Sequence, residues 1–426
     1  MPRSLADWLE YIERQHPKAI DLGLERVNEV RGRLGTVLSC PILAVGGTNG
    51  KGSTCAMLEA VLRAAGYRTA LYMSPHLMRY NERVRTCGEE ASDASLCEAF
   101  AAVETARAGM PLTYFEFGTL AAFWLFARER PDAAVLEIGL GGRLDAVNAL
   151  DADCAVVTSI AIDHVEYLGG SRDAIGREKA GIFRSGRPAV VGDPDPPGAI
   201  ERAAQSVGAR LLRLGREFGY AIEGNQWSYW GPQGRRGGLA HPALRGTAQI
   251  RNAAAALCAL DSLGEQLPVA MQDVRRGLAE VLLPGRFQVL PGRPQVILDV
   301  AHNPEAAKSV ADNLAASGFA PQTIAVCGML RDKDIGGVLR AIAPRITRWH
   351  LASLGGPRGA RADELATHLE AVGGRTPAFR HDSPAAAFAA ARGDAERNDK
   401  IVVFGSFLTV GEVMSEIERG GTRRHG

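Results

Sequence analysis

The sequence predicts an α/β protein of two domains, and three observations carry this prediction. Apolar runs of strand length alternate with segments of helical spacing from residue 41 onward. A glycine-rich loop at residues 46–54 joins the first such strand to the first such helix. After a Pro- and Gly-rich stretch at 283–288 the alternation begins again, so we expect a second, smaller doubly wound sheet there.

The N-terminal region precedes this pattern. Residues Leu5 to Glu13 have the spacing of a helix, and Asp21 to Val27 follows as an apolar and acidic run. Gly23 interrupts that run and predicts a break between two helical pieces. The break either exposes backbone to a ligand or only allows the helices to pack.

The loop Ala44 to Thr54 reads Ala-Val-Gly-Gly-Thr-Asn-Gly-Lys-Gly-Ser-Thr. Glycines let the backbone turn with its N–H groups inward, toward a phosphate held at a helix N-terminus. In such loops the lysine, here Lys51, reaches the outer phosphates, and a hydroxyl, here Ser53 or Thr54, holds Mg²⁺. A glycine-rich turn without a ligand is the alternative, and the strand–loop–helix order disfavours it. The loop predicts binding of a nucleoside triphosphate.

Polar residues follow three further predicted strands, at the ends where α/β proteins place ligands. Ser74 opens the turn after residues 68–73 and is either a second hydroxyl near the metal or part of a plain turn. Glu137 ends the strand at 132–138 and is typical of the acidic partner of Mg²⁺. His164 follows the strand at 154–160, where a structural hydrogen bond is as reasonable as a ligand role.

An aromatic and acidic run, Thr113 to Phe117, lies ahead of a helix expected at 118–130. It is either core or a flat apolar slot beside a carboxylate, suited to an aromatic ring. The glycines of residues 139–142 allow close approach to a ligand, and we expect Arg143 and Asp145 to project into the same space.

The remaining elements complete the pattern. We expect Arg177 to Ile182 near the start or middle of a helix, and antiparallel strands over 208–248. An alanine-rich helix runs from Gln249 to Leu263, and Asn252 near its start either caps it or faces a ligand. In the second domain a strand at 295–300 carries Asp299 and leads to His302; this domain lacks the glycine fingerprint of a dinucleotide site.

Composition excludes several classes of function. The net charge of +1 offers no field for a nucleic acid or a membrane surface. The seven cysteines form no Cys-x-x-Cys pair, so we expect reduced thiols and no zinc site. No stretch approaches the roughly 18 apolar residues that span a bilayer. We therefore expect a cytoplasmic protein.

Eight stretches in chain order resemble the Mur-ligase superfamily of ATP-dependent amide-bond-forming ligases, within it the folylpolyglutamate synthase/dihydrofolate synthase branch. The stretches are 47–53, 74–77, 136–145, 158–164, 177–181, 251–253, 284–286 and 299–304. The resemblance implies a P-loop NTPase-like Mur-ligase central domain, 1–288, with an N-terminal pterin-binding segment. A smaller Rossmann-like α/β C-terminal domain, the glutamate ligase domain, would follow at 289–426.

The resemblance also implies an activity: ATP-dependent joining of L-glutamate to dihydropteroate and to tetrahydrofolate through an acyl phosphate. The alternatives are a monofunctional folylpolyglutamate synthase, a small-molecule kinase and a non-catalytic ATP-binding module. A murein-building ligase would carry a further N-terminal domain before its phosphate loop, which here starts near residue 46. The implied partners are small molecules, with no nucleic acid or membrane, and the chain would act as a monomer.

Site residues are implied by the same resemblance. The ATP-binding residues would be Asn49, Gly50, Lys51, Gly52, Ser53, Asn252, Arg286 and Asp299, the last three reaching ATP across a domain cleft. The metal ligands would be Ser74, Glu137 and His164, holding two Mg²⁺ ions, and the catalytic residues Lys51, Lys179 and His302, with Lys179 carboxylated. The pterin-binding residues would be Asp21, Leu22, Gly23, Leu24, Thr113, Tyr114, Phe115, Glu116, Leu144, Asp145 and Ala146.

Overall fold

A computed structural model of the chain describes residues 2–374 and 376–422. The chain divides into two compact units. The first contains Met1–Ala243 and Ile250–Val281, and the second contains Leu244–Gln249 and Leu282–Gly426.

The first unit is built on an eight-stranded sheet in the order β4-β3-β2-β5-β1-β6-β7-β8, with a separate three-stranded antiparallel sheet β11-β10-β9. Its strands are β1 Ile42–Gly46, β2 Thr69–Tyr72, β3 Val84–Thr86, β4 Glu89–Glu90, β5 Ala133–Glu137, β6 Cys154–Val157, β7 Pro188–Val191, β8 Arg210–Arg213, β9 Gly219–Glu223, β10 Gln226–Gly231 and β11 Gly234–Ala240. Its helices are α1 Leu5–Glu13, α2 Glu25–Leu34, α3 Lys51–Ala64, α4 Asp93–Arg107, α5 Tyr114–Glu129, α6 Val165–Leu168, α7 Arg172–Ala180, α8 Gly198–Val207, α9 Thr247–Ser262 and α10 Met271–Glu280, with 3₁₀ helices Tyr80–Arg83 and Ala146–Ala149.

Six neighbouring strands of the large sheet, β2-β5-β1-β6-β7-β8, are parallel. The first five of them are buried and largely apolar, as expected for parallel strands covered by helices on both faces. β1 lies between β5 and β6, with Val45 opposite Glu137 and Gly46 opposite Val157. The loop that leaves β1 therefore starts beside the carboxyl end of β5. The sheet places the glycine-rich loop and Glu137 side by side at the carboxyl ends of its parallel strands.

Two helix boundaries differ from the sequence prediction. α5 starts at Tyr114 instead of Gly118, because Thr113 forms a capping box in which its hydroxyl accepts the Glu116 N–H and the Glu116 carboxylate accepts the Thr113 N–H. α7 ends at Ala180, so Lys179 lies in its last turn and not near its start or middle. Gly181 takes the cap position there.

The expectation of antiparallel strands over 208–248 holds only in part. β9, β10 and β11 are antiparallel, but β8 adds to the edge of the large sheet parallel to β7. Helix α8 connects these two strands, and a strand–helix–strand connection within one sheet favours parallel pairing.

The second unit is a six-stranded sheet in the order β12-β13-β17-β14-β15-β16, parallel except for β12, and its core packs between the sheet and its helices. Its strands are β12 Gln288–Leu290, β13 Gln295–Leu298, β14 Thr323–Cys327, β15 Arg348–Ala352, β16 Ala378–His381 and β17 Lys400–Phe404. Its helices are α11 Pro304–Ala316, α12 Ile335–Ile342, α13 Ala362–Ala371, α14 Pro384–Asp394 and α15 Phe407–Thr422, with a 3₁₀ helix Ala343–Arg345.

Two predictions about composition can be compared with the structure. All seven cysteines are free thiols, as expected. Among the described residues, none of the helices combines the length and the apolar character that crossing a membrane requires.

Candidate functional site

The phosphate loop is held by hydrogen bonds to the segment that follows β6. Gly47 has a φ of +141°, and a Cβ built there would lie 2.0 Å from the Thr158 hydroxyl oxygen. The Thr158 hydroxyl donates to the Asn49 carbonyl at 2.7 Å, and the Ser159 hydroxyl accepts the Asn49 N–H at 3.0 Å. Hydroxyl groups thus hold the loop in a conformation that only glycine at 47 allows.

Lys51 begins helix α3, and its ammonium group folds over the loop. Nζ donates to the carbonyls of Gly47 at 3.1 Å and Thr48 at 3.2 Å. The Thr54 hydroxyl donates back to the Gly50 carbonyl at 3.0 Å, so it serves the helix. Of the two hydroxyls that the sequence left open, the buried Ser53 is the one that remains for a metal ion.

Asn252 is brought to this loop from far along the chain. It lies in the first turns of α9 and is buried. A Cβ at Gly50, where φ is +88°, would come within 2.6 Å of its side-chain oxygen. Asn252 therefore faces the loop and does not cap α9, which begins at Thr247, and its ligand role stays a prediction.

Replacing Gly47 with alanine is expected to destabilise the first unit by about 2–4 kcal/mol and to abolish nucleotide binding. The reason is that the new methyl group would clash with Thr158 Oγ1, which occupies the same space. Thermal unfolding and ADP titration measure the two effects. Gly66→Ala is the matched control: φ is +91° there and nothing lies within 4 Å. It should cost about 1–2 kcal/mol and leave ADP binding intact; similar nucleotide loss in both variants would contradict this account.

Two of the three expected metal ligands meet at the edge of the sheet. The backbone N–H of Ser74 donates to Glu137 Oε2 at 3.2 Å, and the Glu137 side chain is buried. His164 has a φ of +51° and precedes α6, and its N–H donates to the Asp163 carboxylate at 2.8 Å. The structure thus places Ser74 beside Glu137, and the role of His164 as a metal ligand stays a prediction.

The donor set at this edge suits magnesium. In the described part of the chain no three His, Cys, Asp or Glu residues converge as a ready-made metal cage. Mg²⁺ is commonly held by one or two carboxylates, a hydroxyl, waters and substrate phosphates, all hard oxygen donors. Glu137, Ser74 and Ser53 supply that chemistry beside a phosphate loop, and so the residues fit the ion.

Lys179 is buried at the end of α7, with 3% of its surface exposed. Burial, and after it the charge of Lys51, lower its pKa to about 7, while Asp163 and Asp145 act in the opposite direction. Gly142 lets the preceding loop pack here, since a Cβ would lie 2.9 Å from the Lys179 carbonyl oxygen. The amine is therefore neutral far more often near pH 7 than an ordinary lysine, and it lies within the electrostatic range of Lys51.

The three stretches of the expected pterin site converge. The Gly23 N–H donates to the Leu144 carbonyl at 3.3 Å. Arg26, which the sequence reading missed, forms ion pairs with Asp21 at 2.7 Å and with Glu116 at 2.9 Å. The carboxylates of Asp21 and Glu116 thus join the N-terminal segment to α5. Leu22 and Leu24 flank Gly23 in the same segment, and Ala146 opens the 3₁₀ helix that follows Asp145.

Phe115 contributes an aromatic ring and Asp145 a carboxylate to the expected pterin site. A Cβ at Gly139 would lie 2.5 Å from Phe115 Cζ, so that glycine makes room for the ring. Asp145 accepts the N–H groups of Leu140 at 2.7 Å and Val147 at 3.0 Å. Burial raises the Asp145 pKa to about 7, while the hydrogen bonds oppose that shift. Tyr114, which precedes Phe115 in the chain, is half-buried.

In the second unit Asp299 organises two turns. Its two carboxylate oxygens accept the N–H groups of Phe287 and Ala301, each at 2.8 Å. Arg286 lies over the ring of Phe407, 5.2 Å from its centre, and His302 lies 6.3 Å from the same ring. Asp299, Arg286 and His302 are therefore grouped around one aromatic side chain within this unit.

Thr158, Ser159 and Arg26 are not among the site residues expected from the sequence. The two hydroxyl residues directly follow a buried strand, where ligands and their supports are usual, and this position was the available signal. Arg26 lies only five residues from Asp21, but its second partner, Glu116, is distant in the chain, so the sequence did not mark Arg26 as a link between the two.

The chain is similar to known proteins of one family. Residues 45–260 match the model of the Mur ligase middle domain, and residues 285–407 match the Mur ligase glutamate ligase domain. A dihydrofolate synthase/folylpolyglutamate synthase of Escherichia coli is 48% identical over 97% of this chain and 96% of its own. A structure of the E. coli protein in complex with DHPP and ADP superposes with a TM-score of 0.93 at 47% identity, covering 98% of both chains. A structure of a bifunctional folylpolyglutamate synthase/dihydrofolate synthase with Mn, AMPPNP and L-glutamate bound superposes with a TM-score of 0.90 at 45% identity, covering 98% of both chains.

Proposed function

This chain belongs to the dihydrofolate synthase/folylpolyglutamate synthase family of Mur ligases, and we propose how its residues carry out the family's ligation. It is an ATP-dependent ligase that joins L-glutamate to dihydropteroate, giving dihydrofolate, and to tetrahydrofolate. The observation that carries the assignment of residues is the single sheet edge where the phosphate loop, Glu137 and Ser74 meet.

The chemistry has two steps. A carboxylate oxygen of the acceptor attacks the γ-phosphorus of ATP, and the bond to the bridging oxygen breaks, leaving an acyl phosphate and ADP. The amine of L-glutamate then attacks the acyl carbon, loses a proton, and inorganic phosphate leaves with the electron pair of the broken bond. Because two anions approach in the first step, the main task of the protein is electrostatic.

Lys51 meets that task in this proposal. Its ammonium group exchanges the carbonyls of Gly47 and Thr48 for phosphate oxygens, while the N–H groups of the loop point inward. Asn49, Gly50, Gly52 and Ser53 bind the phosphates with it, and Asn252 supports the loop from Gly50. Arg286 and Asp299 bind ATP, and His302 is a candidate for accepting the glutamate proton.

The metal centre is proposed on Ser74, Glu137 and His164, with the Ser53 hydroxyl as a further oxygen donor beside the loop, and two Mg²⁺ ions would supply positive charge to the phosphates there. Lys179 is proposed to be carboxylated: its neutral amine attacks CO₂, one proton leaves, and a carbamate anion forms. This exchange of a cation for an anion removes the repulsion between Lys179 and Lys51. The low pKa of the buried amine supports the proposal, since only a neutral amine can attack CO₂.

The pterin is proposed to bind where residues 21–24, 113–116 and 144–146 converge. The Phe115 ring provides an apolar face and Asp145 a buried carboxylate. Asp21 and Glu116 both form ion pairs with Arg26, which keeps the N-terminal segment against α5. We further propose that 1–288 and 289–426 are the functional domains and that the protein is a cytoplasmic monomer.

The decisive assay measures phosphate release with ATP, Mg²⁺ and L-glutamate, using dihydropteroate, tetrahydrofolate or no acceptor. We expect turnover with both acceptors, none without an acceptor, and a glutamylated product by mass spectrometry. A phosphorylated product formed without glutamate would identify a kinase instead. Turnover with tetrahydrofolate alone would identify a monofunctional synthase.

Substituting Phe115→Ala or Asp145→Asn is expected to lower kcat/KM for dihydropteroate about 10- to 100-fold and to affect tetrahydrofolate less, because both side chains belong to the proposed pterin pocket. Steady-state kinetics with the two acceptors measure the difference. Phe319→Ala, which truncates a phenylalanine that is 93% exposed, is the control. Equal losses with both acceptors would argue against a dedicated dihydropteroate pocket.

A further inference from the structure

Arg83 occupies an unusual place beside the proposed pterin region. It ends the 3₁₀ helix Tyr80–Arg83 and is half-buried. Its guanidinium carbon lies 5.2 Å from the centre of the Tyr80 ring and 5.4 Å from that of Tyr114. Its Nε donates to His76 Nδ1 at 2.8 Å. Two aromatic rings and one histidine therefore fix the orientation of the guanidinium group.

This arginine has no carboxylate partner among the described residues, although its neighbour in sequence is acidic. The oxygens of Glu82 accept the backbone N–H groups of Leu77, Met78 and Arg79 instead, at 2.7–2.8 Å. Two more deeply buried arginines of this unit are paired with carboxylates: Arg85 with Glu59 at 2.7 Å, and Arg107 with Glu104 at 2.7 Å.

A guanidinium group that is partly removed from water without an anion loses solvation and gains little in return. Stacking on tyrosine faces offsets part of that loss. Since His76 takes Nε, the two terminal nitrogens Nη1 and Nη2 keep their donors for another acceptor. A planar pair of N–H donors with no protein acceptor matches a carboxylate of a bound molecule.

The position of Arg83 indicates which bound molecule would supply this carboxylate. Its carbonyl accepts the N–H of Met73, directly before Ser74 of the proposed metal centre. On its other side Tyr114 directly precedes Phe115 of the proposed pterin pocket. Arg83 thus lies between the residues expected to hold the pterin and those expected to hold the reacting end of the same substrate.

We propose that Arg83 binds a carboxylate of the acceptor substrate through Nη1 and Nη2, held in place by Tyr80, Tyr114 and His76. Dihydropteroate has a single carboxylate, so for that acceptor the group bound is the one that reacts. Arg83 then orients this carboxylate and offsets its charge beside ATP. The inference rests on the proposed function, because it assumes that the acceptor binds in this unit.

Titration calorimetry with dihydropteroate and with its uncharged carboxamide tests the proposal, in the presence of ADP and Mg²⁺. The wild-type protein should prefer the acid about 10- to 100-fold, as expected for a hydrogen-bonded ion pair. Arg83→Gln should reduce that preference to about one without weakening the carboxamide. Arg83→Lys keeps the charge but loses the planar pair of donors, so its preference for the acid should lie between those of the wild-type protein and Arg83→Gln.

Arg79→Gln is the matched control, since Arg79 lies four positions earlier, is 67% exposed and pairs with Glu90. It should keep the full preference for the acid. If Arg83→Gln or Arg83→Lys keeps the wild-type preference, or if both ligands weaken equally, Arg83 only shapes the pocket and the proposal is wrong. A wild-type protein that binds neither ligand would instead refute the proposed function itself.

Discussion

Lys51→Ala is expected to lower the rate of ADP and phosphate formation about 100- to 1000-fold with either acceptor. The ammonium group of Lys51 lies over the loop carbonyls and is the cation available to the γ-phosphate as it is transferred. Because the charge develops in the transition state, kcat should fall more than the affinity for ATP. Single-turnover measurements with saturating dihydropteroate report the chemical step directly.

Lys308→Ala is the control for this experiment. Lys308 is 70% exposed and forms a surface ion pair with Asp312, four residues along α11, at 2.9 Å. A pair of this kind contributes little to stability, so activity and thermal stability should remain close to wild type. A Lys51→Ala protein with wild-type turnover would remove the assignment of this loop as the catalytic phosphate site.

Lys179→Ala is expected to lower turnover by about 100-fold or more, and millimolar acetate should restore part of it. The reason is that the proposed carbamate supplies an anion, and a small carboxylate can occupy the space that truncation opens. In ¹³CO₂-enriched buffer the wild-type protein should show a carbamate carbon signal by NMR that is missing from the variant. Activity that survives Lys179→Ala unchanged, or a wild-type protein with no such signal, would refute carboxylation.

The carbamate should also depend on pH in a defined direction. With a pKa of about 7, about half of the Lys179 amine is neutral at pH 7, whereas a lysine at 10.5 has only about 3 neutral amines in 10,000. The signal and the activity should therefore rise together as pH increases through about 7 and fall together below it.

Lys400 offers the comparison for this pH experiment, because its buried amine already donates to Ser317 and Gly318. Lys400→Arg should keep the carbamate signal of the wild type. Loss of that signal in Lys400→Arg would mean that the carbamate forms at Lys400.

The order of chain features could be read from the sequence because each feature is local. The strand, the glycine turn and Lys51 occupy a short stretch, and their chemistry depends on neighbouring residues. The prediction of a Mur-ligase α/β fold is confirmed by the domain matches and by the parallel sheets. The roles of individual site residues stay predictions that the experiments above test.

The errors in the sequence reading have a common cause. The capping box of Thr113 and Glu116 extended α5 by one turn, although aromatic residues there suggested a separate run. β8 joined the large sheet because α8 returns the chain to its edge. In each case a hydrogen-bonding partner or a sheet position outweighed the periodicity of the segment.

Sequence alone determined the phosphate loop, the acidic strand end at Glu137 and the family, since turn chemistry and apolar spacing are set by adjacent residues. Only the tertiary structure decided that Asn252 faces Gly50, that Arg26 joins Asp21 to Glu116, and that Lys179 is buried within reach of the charge of Lys51. Burial, ion pairing and pKa depend on groups that are distant in the chain, and folding is what brings those groups together.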